Sequence, residues 1–117
     1  MNIEEFREFC LSLKGTTESL PFGDNTLVMK AAGKIFALTD INSFLTINVK
    51  CDPEKAVELR EKYNSITAGY HMNKKHWNTI QVNSELSDKE IKYWIQYSYD
   101  LIVNKLSKSE KALLNDL

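Results

Sequence analysis

Two cysteines, two prolines, four glycines and two histidines are all that 117 residues hold of the types that build disulfide frameworks, stiff loops, phosphate cradles and metal centres. Cys10 and Cys51 lie far apart, with no neighbouring Cys or His at ligand spacing, so neither a disulfide scaffold nor a zinc knuckle is indicated and a reducing compartment is expected. The low Gly and Pro content argues against a collagen-like or disordered chain. No Gly-rich phosphate loop, nucleophile elbow or paired-carboxylate motif occurs, so a non-enzymatic protein without cofactor is expected. No apolar run approaches the ~18–20 residues that span a bilayer, and the opening "MNIEEFREF" carries acids where a signal peptide needs basic and then apolar residues. The expected location is the cytoplasm, away from membranes.

An excess of positive charge is also missing. The net charge is −1, which disfavours a nucleic-acid binder that works through bulk charge. Local distribution is different: residues 69–83 carry Lys74 and Lys75 with no acid, while both ends of the chain mix the two signs.

What is present is ordinary globular material, 43% hydrophobic and 26% charged, in a length that fits one domain over 1–117. "NIEEFREFCLSLKG" starts with an Asn2 N-cap and spaces Ile3, Phe6, Phe9, Cys10 and Leu13 three and four apart, which predicts an amphipathic helix. "TTESLPFGDN" reads as a connector, with Phe22 as an apolar anchor in the loop. From Thr26 the period becomes two: "TLVMK" and "KIFALTD" flank a turn at Gly33, and "FLTINVK" alternates Leu45, Ile47 and Val49 with Thr46, Asn48 and Lys50. "CDPEKAVELREKYN" gives a second helix with Asp52 as N-cap and Pro53 at its first position. "ITAGY" and "HWNTIQV" predict a second hairpin whose tip is "HMNKK". A capping box from Ser87 to Glu90 opens a long core-covering helix, and another from Ser107 to Glu110 opens a short helical tail. The predicted order is α-β(3)-α-β(2)-α plus the tail, an α+β two-layer sandwich. Its five-stranded antiparallel sheet carries the helices on one face and leaves the other face polar.

The strings "LPFGDNTLVMK", "GKIFALTDI", "NVKCDPEKAVELR" and "AGYHMNKKHWNT" resemble the MmcQ/YjbR family, small bacterial proteins described as having a double-wing DNA-binding arrangement; the likeness runs from about Cys10 to Leu106. It implies the same α-β(3)-α-β(2)-α fold and a DNA-binding function, and it brings no catalytic residues. Fold follows from such a likeness more directly than function does. Carried over, the wings are the two hairpin tips: Lys30, Gly33 and Lys34 in the first, and His71, Met72, Asn73, Lys74, Lys75 and His76 in the second. Lys50 and Trp77 complete the candidate nucleic-acid contacts. The family tends to have two glycines in the first tip, where this chain reads "KAAGK".

Each candidate also has a plainer reading. Lys74 and Lys75 either contact phosphate from an exposed loop or form a solvated turn. Trp77 alternates onto the face opposite Ile80, where it either offers a stacking surface or packs under a loop. His71 and His76 could share a metal with Cys51, but zinc takes three or four ligands and no metal is expected. Cys51 at a strand end is more simply a packed side chain than a nucleophile. A second functional reading is a protein-interaction module that uses the open sheet face or a dimer surface.

Overall fold

The computed structural model describes residues 1–69 and 72–117. Among the described residues ten elements follow one another: α1 (Ile3–Ser12), β1 (Thr16–Ser19), β2 (Thr26–Ala31), β3 (Lys34–Asp40), β4 (Thr46–Lys50), α2 (Pro53–Lys62), β5 (Ile66–Ala68), β6 (Trp77–Gln81), α3 (Asp88–Asn104) and α4 (Lys108–Asn115). The strands form one antiparallel sheet in the order β1-β2-β3-β4-β6-β5. The α+β class and the helix positions match the sequence reading; the strand count does not. Thr16–Ser19, read as connector, pairs with Ala31–Val28 as a sixth, edge strand. Its side chains are almost all exposed, so its place in the sheet rests on backbone pairing and leaves no hydrophobic alternation to read.

Capping chemistry sets the helix starts. Asn2, Ser87 and Ser107 each accept the backbone N–H of the glutamate three residues on, and that glutamate reaches back to the cap N–H. Asp52 caps α2 just ahead of Pro53.

The core lies between the sheet and α1, α2 and α3. Phe6 and Cys10 of α1, Ala56 and Leu59 of α2, and Ile91, Ile95 and Ile102 of α3 meet Leu27, Met29, Ile47, Val49, Ile66 and Ile80 on one sheet face. Leu45 departs from its expected apolar row and is 68% exposed. The cause is Phe44, whose φ of 42° breaks the strand alternation one residue earlier; Phe44 turns inward against Phe6, with ring centroids 5.6 Å apart, and β4 begins only at Thr46.

One irregularity positions the site. The β2–β3 register shifts between Met29 and Lys30, so Phe36 is an extra residue in β3 and the β3–β4 ladder stops at Ala37–Val49. Ser98 of α3 fills the gap: its hydroxyl donates to the Phe36 carbonyl at 2.6 Å and accepts from the Lys50 N–H at 2.8 Å. The serine is fully buried. It therefore fixes α3 against the point where β4 ends in Lys50.

Candidate nucleic-acid interface

Antiparallel pairing brings both hairpin tips to the same end of the sheet. β2 and β3 turn through Ala32 and Gly33, with φ of 50° and 76°, and Lys34 follows, exposed. β5 ends at Ala68 and β6 begins at Trp77, and Trp77 stands opposite Lys50. In the second tip Asn73 Oδ1 accepts the Lys75 N–H at 2.8 Å and the Asn73 carbonyl accepts the His76 N–H at 3.2 Å, an Asx turn that presents Lys74 and Lys75 to solvent. The His76 carbonyl accepts the Cys51 N–H at 2.7 Å and ties this tip to the end of β4. His71 lies outside the described residues. With three strand spacings of about 4.8 Å between the hairpin centres, the tips stand roughly 14 Å apart, close to the ~12 Å width of the DNA major groove.

Lys50 sits between them, half-buried. Burial pushes its ammonium below the usual lysine range, and the charges of Lys105 and Lys34 push it further the same way. Lys50 of β4 thus feels two further cations, Lys105 at the end of α3 and Lys34 of β3. Among the described residues, none of Lys30, Lys34, Lys50, Lys74, Lys75 and Lys105 forms a salt bridge. Glu110 is held below the usual carboxylate range, first by its capping contacts with Ser107 and also by the nearby charge of Lys34. Lys105 was missed in the sequence because its position depends on how α3 crosses the sheet, which Ser98 sets and no local pattern announces.

Trp77 does face the open side, as its alternation predicts. It is 7% exposed, packed with Val28 and Leu38 and covered by Ile35 and Met72. Of the two fates open to it, the structure shows packing under the loop, and no ring face is left free for stacking. Cys51 is 2% exposed, and burial raises its thiol to about 11 although a hydrogen bond with Tyr97 acts the other way. It meets His76 through the backbone. Among the described residues no three His, Cys, Asp or Glu side chains come together at ligand distance.

Cross-strand register arranges the open face in rows. Nearest the tips are Lys30, Ile35, Lys50 and Trp77; next come Val28, Leu38, Asn48, Thr79 and Thr67; farthest are Thr26, Asp40, Thr46 and Gln81. Two adjoining hollows open over the second and third rows. One of about 310 Å³ is lined by Thr26, Asp40, Thr46, Asn48, Thr67 and Thr79, the other of about 340 Å³ by Phe22, Thr26, Leu38 and Met72. Leu38 walls both.

An open antiparallel sheet, helices confined to one face and two lysine-bearing hairpin tips at one end define the class: a small α+β protein with an open sheet. The chain belongs to the YjbR family, whose model matches residues 11–101. It is 36% identical over 109 residues to the Escherichia coli O157:H7 protein YbdF, covering 92% of this chain and 89% of that one. With Escherichia coli K12 YjbR it shares 28% identity over the full length of both. Both relatives are described only as uncharacterised. Among solved structures it resembles Deinococcus radiodurans protein DR2400, with a TM-score of 0.92 and 35% identity over 97% of this chain and 88% of that one. A Pseudomonas syringae protein of known crystal structure matches with a TM-score of 0.74 and 30% identity, covering 86% and 98%.

Proposed function

We propose that the protein is a non-enzymatic DNA-binding module that grips phosphates with its two hairpin tips. The observation that supports this reading is that Lys50 holds its charge half-buried within reach of the charges of Lys105 and Lys34, and that among the described residues none of the three forms a salt bridge. Burying one ammonium beside two others raises the free energy of the protein alone. An anion seated among them relieves that cost, which gives phosphate a reason to bind here in a chain of net charge −1. Lys74 and Lys75 add two exposed charges on the second tip.

The test is a salt series on a nonspecific duplex. With Lys30, Lys34, Lys74 and Lys75 as the main contacts, about three or four counterions are released, so the log–log salt slope is near −3 to −4 and the affinity is on the order of micromolar or weaker. Replacing Lys74 and Lys75 together by alanine flattens the slope by roughly two, and stability changes little because both side chains are exposed. An unchanged slope removes the second tip from the interface. No duplex binding even at low salt removes the DNA reading and leaves a protein partner on the open face as the better account.

A further inference from the structure

We propose that the slot between Phe22, Leu38 and Met72, together with the Asn48 floor beside it, receives an unpaired base of single-stranded DNA whose phosphates lie along Lys30, Lys50 and the tips. This rests on the phosphate reading above and specifies the form of nucleic acid that the same end of the sheet holds. Three observations carry it.

The first is a polar floor. Asn48 is 5% exposed and its Oδ1 accepts from Thr79 Oγ1 at 2.6 Å, which leaves its Nδ2 donors for the hollow. It faces the hollow walled by Thr26 and Leu38. An amide that turns donor capacity toward an open hollow is matched by the acceptors on the Watson–Crick edge of a base.

The second is an exposed aromatic at the mouth. Phe22 is 64% exposed, among the most exposed large apolar side chains described, and lines the hollow with Leu38 and Met72. Aromatic side chains beside a cationic track are what unpaired bases stack on. Trp77 cannot serve, since Met72 and Ile35 cover it; Phe22 can.

The third is the order of charge along the strands. Lys30 and Lys50 occupy the row next to the tips, while the hollows open two and four residues further along the same face. Two residues of strand are roughly 6.6 Å, a span that separates a phosphate from its own base in an unstacked nucleotide. Beyond them stands Asp40, kept anionic by the N–H groups of Ser43 and Asn42. A carboxylate there repels phosphate and tolerates an uncharged base, so the backbone is held to the lysine row. A base inside a duplex is paired and stacked and does not reach the slot.

The experiment compares labelled oligonucleotides of about a dozen nucleotides by anisotropy at one fixed salt: a mixed-sequence single strand, its duplex, an abasic strand with the same phosphates, and the matching ribonucleotide strand. Expected is single-strand binding about tenfold tighter than duplex, a gain the abasic strand loses. Phe22→Ala, an exposed position that leaves folding intact, removes most of that gain without changing duplex affinity or its salt slope, and Phe22→Trp retains it. Equal binding of the base-bearing and abasic strands, or an indifferent Phe22→Ala, overturns the slot while a lysine-dependent duplex slope leaves the phosphate reading standing. A ribonucleotide strand bound more tightly than the deoxy strand overturns DNA as the occupant. Failure of every nucleic acid to bind at low salt overturns both.

Discussion

Ala32 is the residue most at odds with its own backbone. The two-residue turn between β2 and β3 takes positive φ at both central positions, 50° at Ala32 and 76° at Gly33. A Cβ in the left-handed region costs about 1–2 kcal/mol, of which glycine's extra chain entropy would return only part. Ala32→Gly is therefore expected to stabilise the protein by about 0.5–1 kcal/mol and to raise Tm by a few degrees. A thermal melt in which Tm falls would show that the turn is unstrained. Here the sequence was only half legible: "AAG" marks a turn through Gly33, but that the preceding alanine shares the left-handed conformation follows from the register of two whole strands. Leu45 gave the same lesson, because an inverted Phe44 leaves no trace in the period-two pattern that "FLTINVK" displays.

Elements with their own chemical punctuation could be read directly. The caps at Asn2, Asp52, Ser87 and Ser107 are all observed, since a side-chain oxygen beside orphan N–H groups acts within one turn of chain. β1 could not be read, because a polar edge strand is defined by its neighbour. Nor could the bulge at Phe36. Its consequence is testable through Ser98, which serves the carbonyl of one strand and the N–H of the next. Ser98→Ala leaves both groups buried and unpaired, so a loss of about 1–3 kcal/mol is expected in denaturant unfolding. The same change loosens the seat of Lys50 and Lys105 and should weaken duplex binding. A stability within error of the parent would mean that the two strands close the gap without the hydroxyl.

Over the whole molecule, the proposed function sets the same lysines in tension between folding and binding. Because the folded state depresses the Lys50 ammonium, folding is penalised at pH values below its folded pKa, and the penalty fades as pH rises from there towards 10.5, where the unfolded side chain also gives up its proton. Lys50→Met is expected to raise Tm at pH 7, with the advantage shrinking as pH approaches 10.5. Added phosphate or DNA should raise the Tm of the parent more than that of the variant, since ligand that binds only the folded state stabilises it in proportion to its occupancy. An identical response of the two proteins would place Lys50 outside the anion site.

The lysines gathered at one end have a last consequence, which concerns motion before contact. Lys34, Lys74 and Lys75 are exposed there in a chain of net charge −1, so the positive field is local to that end. Under the proposed DNA reading, a polyanion attracts that end first once within a Debye length, about 10 Å at 0.1 M salt. That reading then expects a fast, oriented encounter even where residence is brief, with added salt slowing arrival more than it hastens departure.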